Sequence, residues 1–260
     1  MDMLPTLFVS HGAPDLPIRT GSASEFLRSL HQHLPPPKAI LVISAHWYSD
    51  IPAVSATVNP QTIHDFSGFP QALYKLNYPA PGSPELAQRI ITLLAQSGIF
   101  CEAHPSRGFD HGTWTPLILA YPAATIPVVQ LSIQYHQDVI YHRHLGQALA
   151  SLRQDGVLIL GSGSATHNLG AFGNDYDAPP LHWVQQFDDW LATTIEQGDW
   201  NSLMHYRDCA PYAQQNHPTE EHLLPLFVAL GAGGMNVKGK RIHSSYTYGA
   251  FSMAAYAFTE

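Results

Sequence analysis

Cysteine is nearly absent from this chain of 260 residues: it has only Cys101 and Cys209, and neither sits in a CxxC or zinc-knuckle spacing. That excludes a disulfide framework and a cysteine-based metal site, and it predicts free thiols in a reducing cytoplasm. Positive charge is also scarce, with 12 Lys and Arg against 20 Asp and Glu and a formal net charge of -8. The few basic residues form no stripe, so nucleic acid is not an expected partner. No apolar run approaches the ~20 residues that a membrane span requires. Met1 leads almost directly into an apolar stretch without a basic leader, so neither export nor membrane insertion is expected. Linkers, repeats and low-complexity segments are missing too, which predicts one domain over residues 1–260. Nothing in the pattern specifies an oligomeric state.

Histidine is what the chain does have. Its 16 histidines outnumber Lys and Arg together. Three aliphatic runs stop at a histidine among small residues: LFVSHG at His11, ILVISAHW at His46 and VLILGSGSATHN at His167. Such runs, at 4–10, 39–45, 126–133 and 156–162, read as buried parallel strands. Amphipathic helical patterns at 84–97, 138–153 and 181–196 lie between them, the first opened by a Ser83-Pro84-Glu85 cap signal. The alternation predicts an α/β fold in three layers, with a largely parallel central sheet and helices on both faces. The aromatic tail SYTYGAFSMAAYAF predicts a late strand near a sheet edge.

Ligand crevices in such sheets lie beyond the carboxyl ends of the strands, where histidines from separate strands can share an ion. His11, in SHGAP, is a candidate metal ligand. So is His46, provided its strand neighbours that of His11, because adjacent strands lie ~4.8 Å apart. In HPTEEHLLPL, Thr219 is a candidate helix cap and His222 falls in the first helical turn, with Glu221 beside it as the alternative ligand. His111 follows Asp110, which either orients its ring or is solvated, and suits proton transfer. His167 follows a Gly-Ser-Gly-Ser loop free to bend into the crevice, and serves as ligand or base. Trp47 is placed to wall an aromatic pocket, and His64, His136 and His243 are candidates for substrate contact. Of the remaining histidines, His31, His33, His104, His142, His144, His182 and His205 read as surface or helix residues.

Taken together, SHGAP, SAHW, IHDFSGFP, LNYPAPGSPELA, GFDHGTWTPL, VQLSI, GSGSATHNL and HPTEEHLLPL resemble the DODA-type extradiol ring-cleavage dioxygenases of the LigB-like class III superfamily, from about His11 to Phe227. The resemblance implies a non-haem site built on His11, His46 and His222. It implies Fe(II) for activity and Zn(II) as an ion retained on isolation, with His167 an additional ligand in zinc-loaded forms or the catalytic base, and His111 near the substrate. The implied reaction opens a catechol with O2, most directly DOPA at the 4,5 position, to seco-DOPA and on toward betalamic acid. Two other readings suit the same histidines: a zinc-dependent hydrolase, and a non-enzymatic interaction protein that keeps the scaffold.

Overall fold

Along the central strands, successive side chains enter two different cores. Phe8, Leu41, Ile43, Val129, Leu131 and Ile159 belong to one apolar cluster, while Leu7, Val9, Ile40, Val42, Val128 and Leu158 belong to the other. That period of two is what a sheet covered on both faces requires.

The computed structural model describes residues 3–260. Its first half runs β1 (Thr6–Ser10), α1 (Ser22–Ser29), β2 (Ala39–Tyr48), β3 (Ala53–Ser55), α2 (Pro84–Gln96), β4 (Glu102–His104), α3 (His111–Ala120) and β5 (Val128–Ile133). The second half begins α4 (Val139–Leu149), β6 (Val157–Gly163) and α5 (His182–Gln197), then three short helices, α6 (Trp200–Met204), α7 (Tyr206–Cys209) and α8 (Ala213–Asn216). It closes with α9 (Leu224–Ala232), β7 (Lys238–His243), β8 (Tyr246–Thr247), β9 (Phe251–Ser252) and β10 (Ala255–Thr259). The eight-stranded sheet has the order β4-β3-β5-β2-β6-β1-β10-β7, and β8 and β9 pair separately. Its centre, β5-β2-β6-β1, is parallel throughout, while β10 and β7 add antiparallel strands at one side. Helices α1 and α3 pack on one face and α2, α4, α5 and α9 on the other, the expected three layers. No helix among the described residues is long and apolar enough to cross a membrane, and both cysteines are free.

Several local expectations give way. Strands β1 and β2 are not neighbours, because β6 lies between them, with Ser10 opposite Gly163 and Ser44 opposite Ser162. The Gly-Ser-Gly stretch is not a flexible loop but the end of β6 itself. Its glycines make room: a Cβ at Gly161 would run into the Pro225 carbonyl, and one at Gly163 into the His222 carbonyl. The start of α9 can therefore lie directly on the strand. β2 continues past His46, and its register with β5 breaks between Ile43 and Tyr48, an irregularity of the kind that re-aims side chains beside sites. Helix α9 starts only at Leu224, with Pro225 in its first turn, so His222 precedes the helix and Thr219 does not cap it. The expected late strand near a sheet edge is present as β10, one position inside it. The edge is β7, whose lysines and arginine suit an unpaired border. His142 is a helix residue, as expected, but its place on α4 is fully buried.

Candidate active site

The imidazoles of His11, His46 and His222 converge on the carboxyl-terminal side of the sheet, just past the ends of β1 and β6 and beside the last residues of β2. His46 Nε2 lies 3.0 Å from His11 Nε2 and 3.3 Å from His222 Nε2. Adjacency of the two strands, the condition set above for His11 and His46, is not what unites them. The intervening strand ends in Ser162 and Gly163, too small to separate the rings.

The surroundings decide which nitrogen each ring turns inward. The Ser162 hydroxyl donates to the Gly112 carbonyl, so toward His11 Nδ1, 3.0 Å away, it can only accept. That places the His11 proton on Nδ1 and leaves Nε2 bare. Gly112 O is open to the serine because its intrahelical partner in α3 would be residue 116, a proline without an N–H. His222 Nδ1 donates to Glu221 Oε1 at 3.0 Å, and Thr219 Oγ1 donates to the same oxygen at 3.1 Å. Its Nε2 is bare as well. Burial, then the neighbouring imidazoles, holds His11 and His222 well below the ordinary histidine range. Burial and His111 lower His46 to about 4, although Asp110 and Asp65 pull the other way. Uncharged imidazoles with lone pairs aimed at one point are a donor set that fits a divalent metal ion.

Two further histidines flank this cluster. His111 opens α3, and its backbone N–H donates to Asp65 Oδ1 at 2.9 Å. Its ring Nδ1 stands 3.0 Å from that oxygen, in poor alignment for a hydrogen bond. Burial pushes the Asp65 carboxyl up, but the adjacent His111, through its ring and its backbone N–H, outweighs burial and holds the group at about 2. His167 stacks on His222, with ring centroids 3.4 Å apart and planes 12° from parallel. Burial lowers it to about 4 against the pull of Glu221, whose Oε1 is 3.9 Å from Nδ1.

A cavity of about 530 Å³ opens over these groups. Its floor carries all five histidines and Glu221, and its walls are Phe66, Phe69, Leu169, Phe172 and Phe251. The other expected contacts lie elsewhere. His64 is turned to the Leu76 carbonyl, Trp47 is buried against Arg107, His136 is exposed beside Tyr135, and His243 stacks on Phe26; none of the four lines the cavity. Asp110 neither orients His111 nor meets solvent. It caps α3, fully buried, and binds Ser44, Arg107, Gln130 and the Thr113 N–H. The residue facing His111 is Asp65, next to His64 in IHDFSGFP, and nothing in its local sequence marks it. Ser162 was hidden inside the glycine-serine run.

The pattern of the catalytic LigB subunit of aromatic ring-opening dioxygenase matches residues 6–259. The chain belongs to the LigB family. Among relatives of this LigB chain, the 4,5-DOPA dioxygenase extradiol of Beta vulgaris is 48% identical over 260 residues, 98% of this chain and 96% of the relative. The protein of the same name from Escherichia coli K12 is 41% identical over 232 residues, 88% of this chain and 85% of the relative. A crystal structure of an uncharacterized Escherichia coli K12 protein superposes with a TM-score of 0.83 at 32% identity, covering 99% of this chain and all of that one. This LigB chain is an extradiol ring-opening enzyme acting on a small molecule, and extradiol dioxygenases of the family depend on a metal. The hydrolase and interaction-protein readings find no support among these relatives.

Proposed function

We propose that this LigB chain works as one catalytic domain that opens a catechol ring with O2 at an Fe(II) centre, with 4,5-cleavage of DOPA, the reaction named for its relatives, as the reference reaction. The observation that carries the reading is the convergence of the Nε2 atoms of His11, His46 and His222 at the floor of a ring-sized cavity, with those of His11 and His222 left bare by their Nδ1 partners. These three side chains hold the ion. His222 rather than Glu221 is the third ligand in this reading, because Glu221 Oε1 already accepts from His222 Nδ1 and Thr219. Zn(II) suits the same nitrogens and is the ion expected on isolation. Bound Fe(II) supplies open coordination positions and redox capability, which bring catechol and O2 together.

The remaining groups move protons and exclude water. His167, kept neutral by burial, is available to take a proton from a catechol hydroxyl. His111 lies on the opposite flank, its Nδ1 3.0 Å from Asp65 Oδ1, in position to pass a proton to the opening ring. Phe66, Phe69 and Phe251 enclose the ring in an apolar wall that strengthens these interactions. Anaerobic loading with Fe(II), followed by catechols and air, should give a yellow semialdehyde with matching O2 uptake. Absence of colour and uptake across a catechol panel would overturn the reading.

A further inference from the structure

Apart from the metal ion of the proposed reading, the cavity that would receive the catechol offers no fixed positive charge to a ring substituent. Among the described residues lining it, Glu221 is the acid, and no lysine or arginine is present. The arginines of the surrounding elements are engaged elsewhere. Arg107 binds Asp110 at 2.8 Å and lies over Trp47, and Arg19 binds Asp15 at 2.7 Å and lies over Tyr176. Arg207 donates to the His217 carbonyl and pairs with Glu220, in a separate surface cleft that shares with this cavity only the Glu221 carboxylate. Meanwhile Leu169 and Phe172 line the cavity and yet remain 67% and 44% exposed. Phe172 is braced by Tyr248 and Phe251, with ring centroids 4.4 and 5.7 Å away. These two side chains form an apolar lip that the protein itself leaves uncovered.

We propose that this site selects catechols whose ring substituent is uncharged and apolar, and that Leu169 and Phe172 receive that substituent. The inference rests on the ring-opening reading and names its substrate class. An alkyl or aryl substituent covers the lip and gains by leaving water. A carboxylate on the same substituent would leave water for phenylalanine walls and the Glu221 carboxylate, with no lysine or arginine to pair with it. DOPA is then cleaved through its ring alone, its amino-acid head staying in solvent and adding nothing to affinity.

The test is a matched pair, 4-propylcatechol and 3-(3,4-dihydroxyphenyl)propionate, which differ by the carboxylate at the end of equal chains. With Fe(II)-loaded enzyme, kcat/KM should favour the neutral compound by at least tenfold; equal or reversed values overturn the proposal. Binding of the pair to zinc-loaded protein, which is inert toward O2, is measured in parallel by calorimetry and should show the same order. If no catechol is opened, the ring-opening reading fails, whereas the binding ratio still decides whether the site prefers the neutral compound. Phe172→Arg and Leu169→Arg place a cation on the exposed lip and should shift the binding ratio at least tenfold toward the propionate. An unchanged ratio in both variants would overturn the assignment of the lip.

Discussion

His11 donates its Nδ1 proton to Ser162 across 3.0 Å because the serine has already committed its own proton to the Gly112 carbonyl. That carbonyl is available because Pro116 cannot donate to it. A helix-interior proline, ordinarily a local defect, thus sets the tautomer of a proposed metal ligand through one hydroxyl. Replacing Ser162 by alanine should weaken metal affinity by about 10–100-fold, the usual effect of losing such an outer partner. Competition with a chelator measures it. Pro116→Ala, which restores a helical N–H to Gly112, should weaken affinity less, and the double variant should be no weaker than Ser162→Ala alone. Simple additivity would mean that the two residues act independently.

Removing a ligand and removing a proton carrier should differ in kind. His11→Ala and His46→Ala are expected to lose metal retention. His111→Ala should keep the ion while kcat falls by about 10²–10⁴-fold, the range for a lost general acid or base. Metal content by atomic absorption beside single-substrate kinetics separates the outcomes. Equal metal loss in all three variants would contradict the division of roles.

Gly163→Ala should harm the site without touching an imidazole. The added Cβ runs into the His222 carbonyl, and Ser164 N–H is bonded to that same oxygen at 2.9 Å. Moving this segment costs about 1–3 kcal/mol as overpacking. A lowered Tm together with weakened metal binding is expected. Normal metal affinity would show that His222 tolerates displacement from β6.

Acid should destabilise the metal-free protein partly through His142. Burial lowers this imidazole from its ordinary value to about 4, partly offset by its hydrogen bond to the Asp138 carbonyl. Its Nε2 accepts the Gln134 N–H at 3.2 Å, which only the neutral ring can do. Because the folded pKa lies below the unfolded one, the stabilisation is present above about pH 6.5 and is lost as pH falls toward 4. A shift of this size corresponds to about 3 kcal/mol at most. Urea unfolding at pH 7.5 and 5 should show a smaller loss of stability for His142→Gln than for the parent. An identical loss would assign the acid sensitivity to other groups.

Much of this was legible along the chain. The aliphatic runs at 39–45 and 156–162 became β2 and β6, and the alternation of their side chains between two cores follows from strand geometry alone. His11, His46, His111, His167 and His222 all reach one cavity floor. Asp65 was not legible, because its partner His111 is distant in sequence and no local pattern links the two. The burial of His142 was equally hidden, since a histidine on an amphipathic helix carries no mark of which face it takes.

Local sequence by itself determined the elements, the layered α/β class and the residue types that end near the crevice, since strand and helix periodicity and small residues at strand ends are short-range properties. Tertiary structure alone decided that β6 separates β1 from β2, that its glycines admit the His222 segment, and that Ser162 and Glu221 turn the Nε2 atoms of His11 and His222 inward. Strand order and hydrogen-bond direction depend on which distant groups arrive at the same place and which protons are already committed there, and no local pattern encodes either.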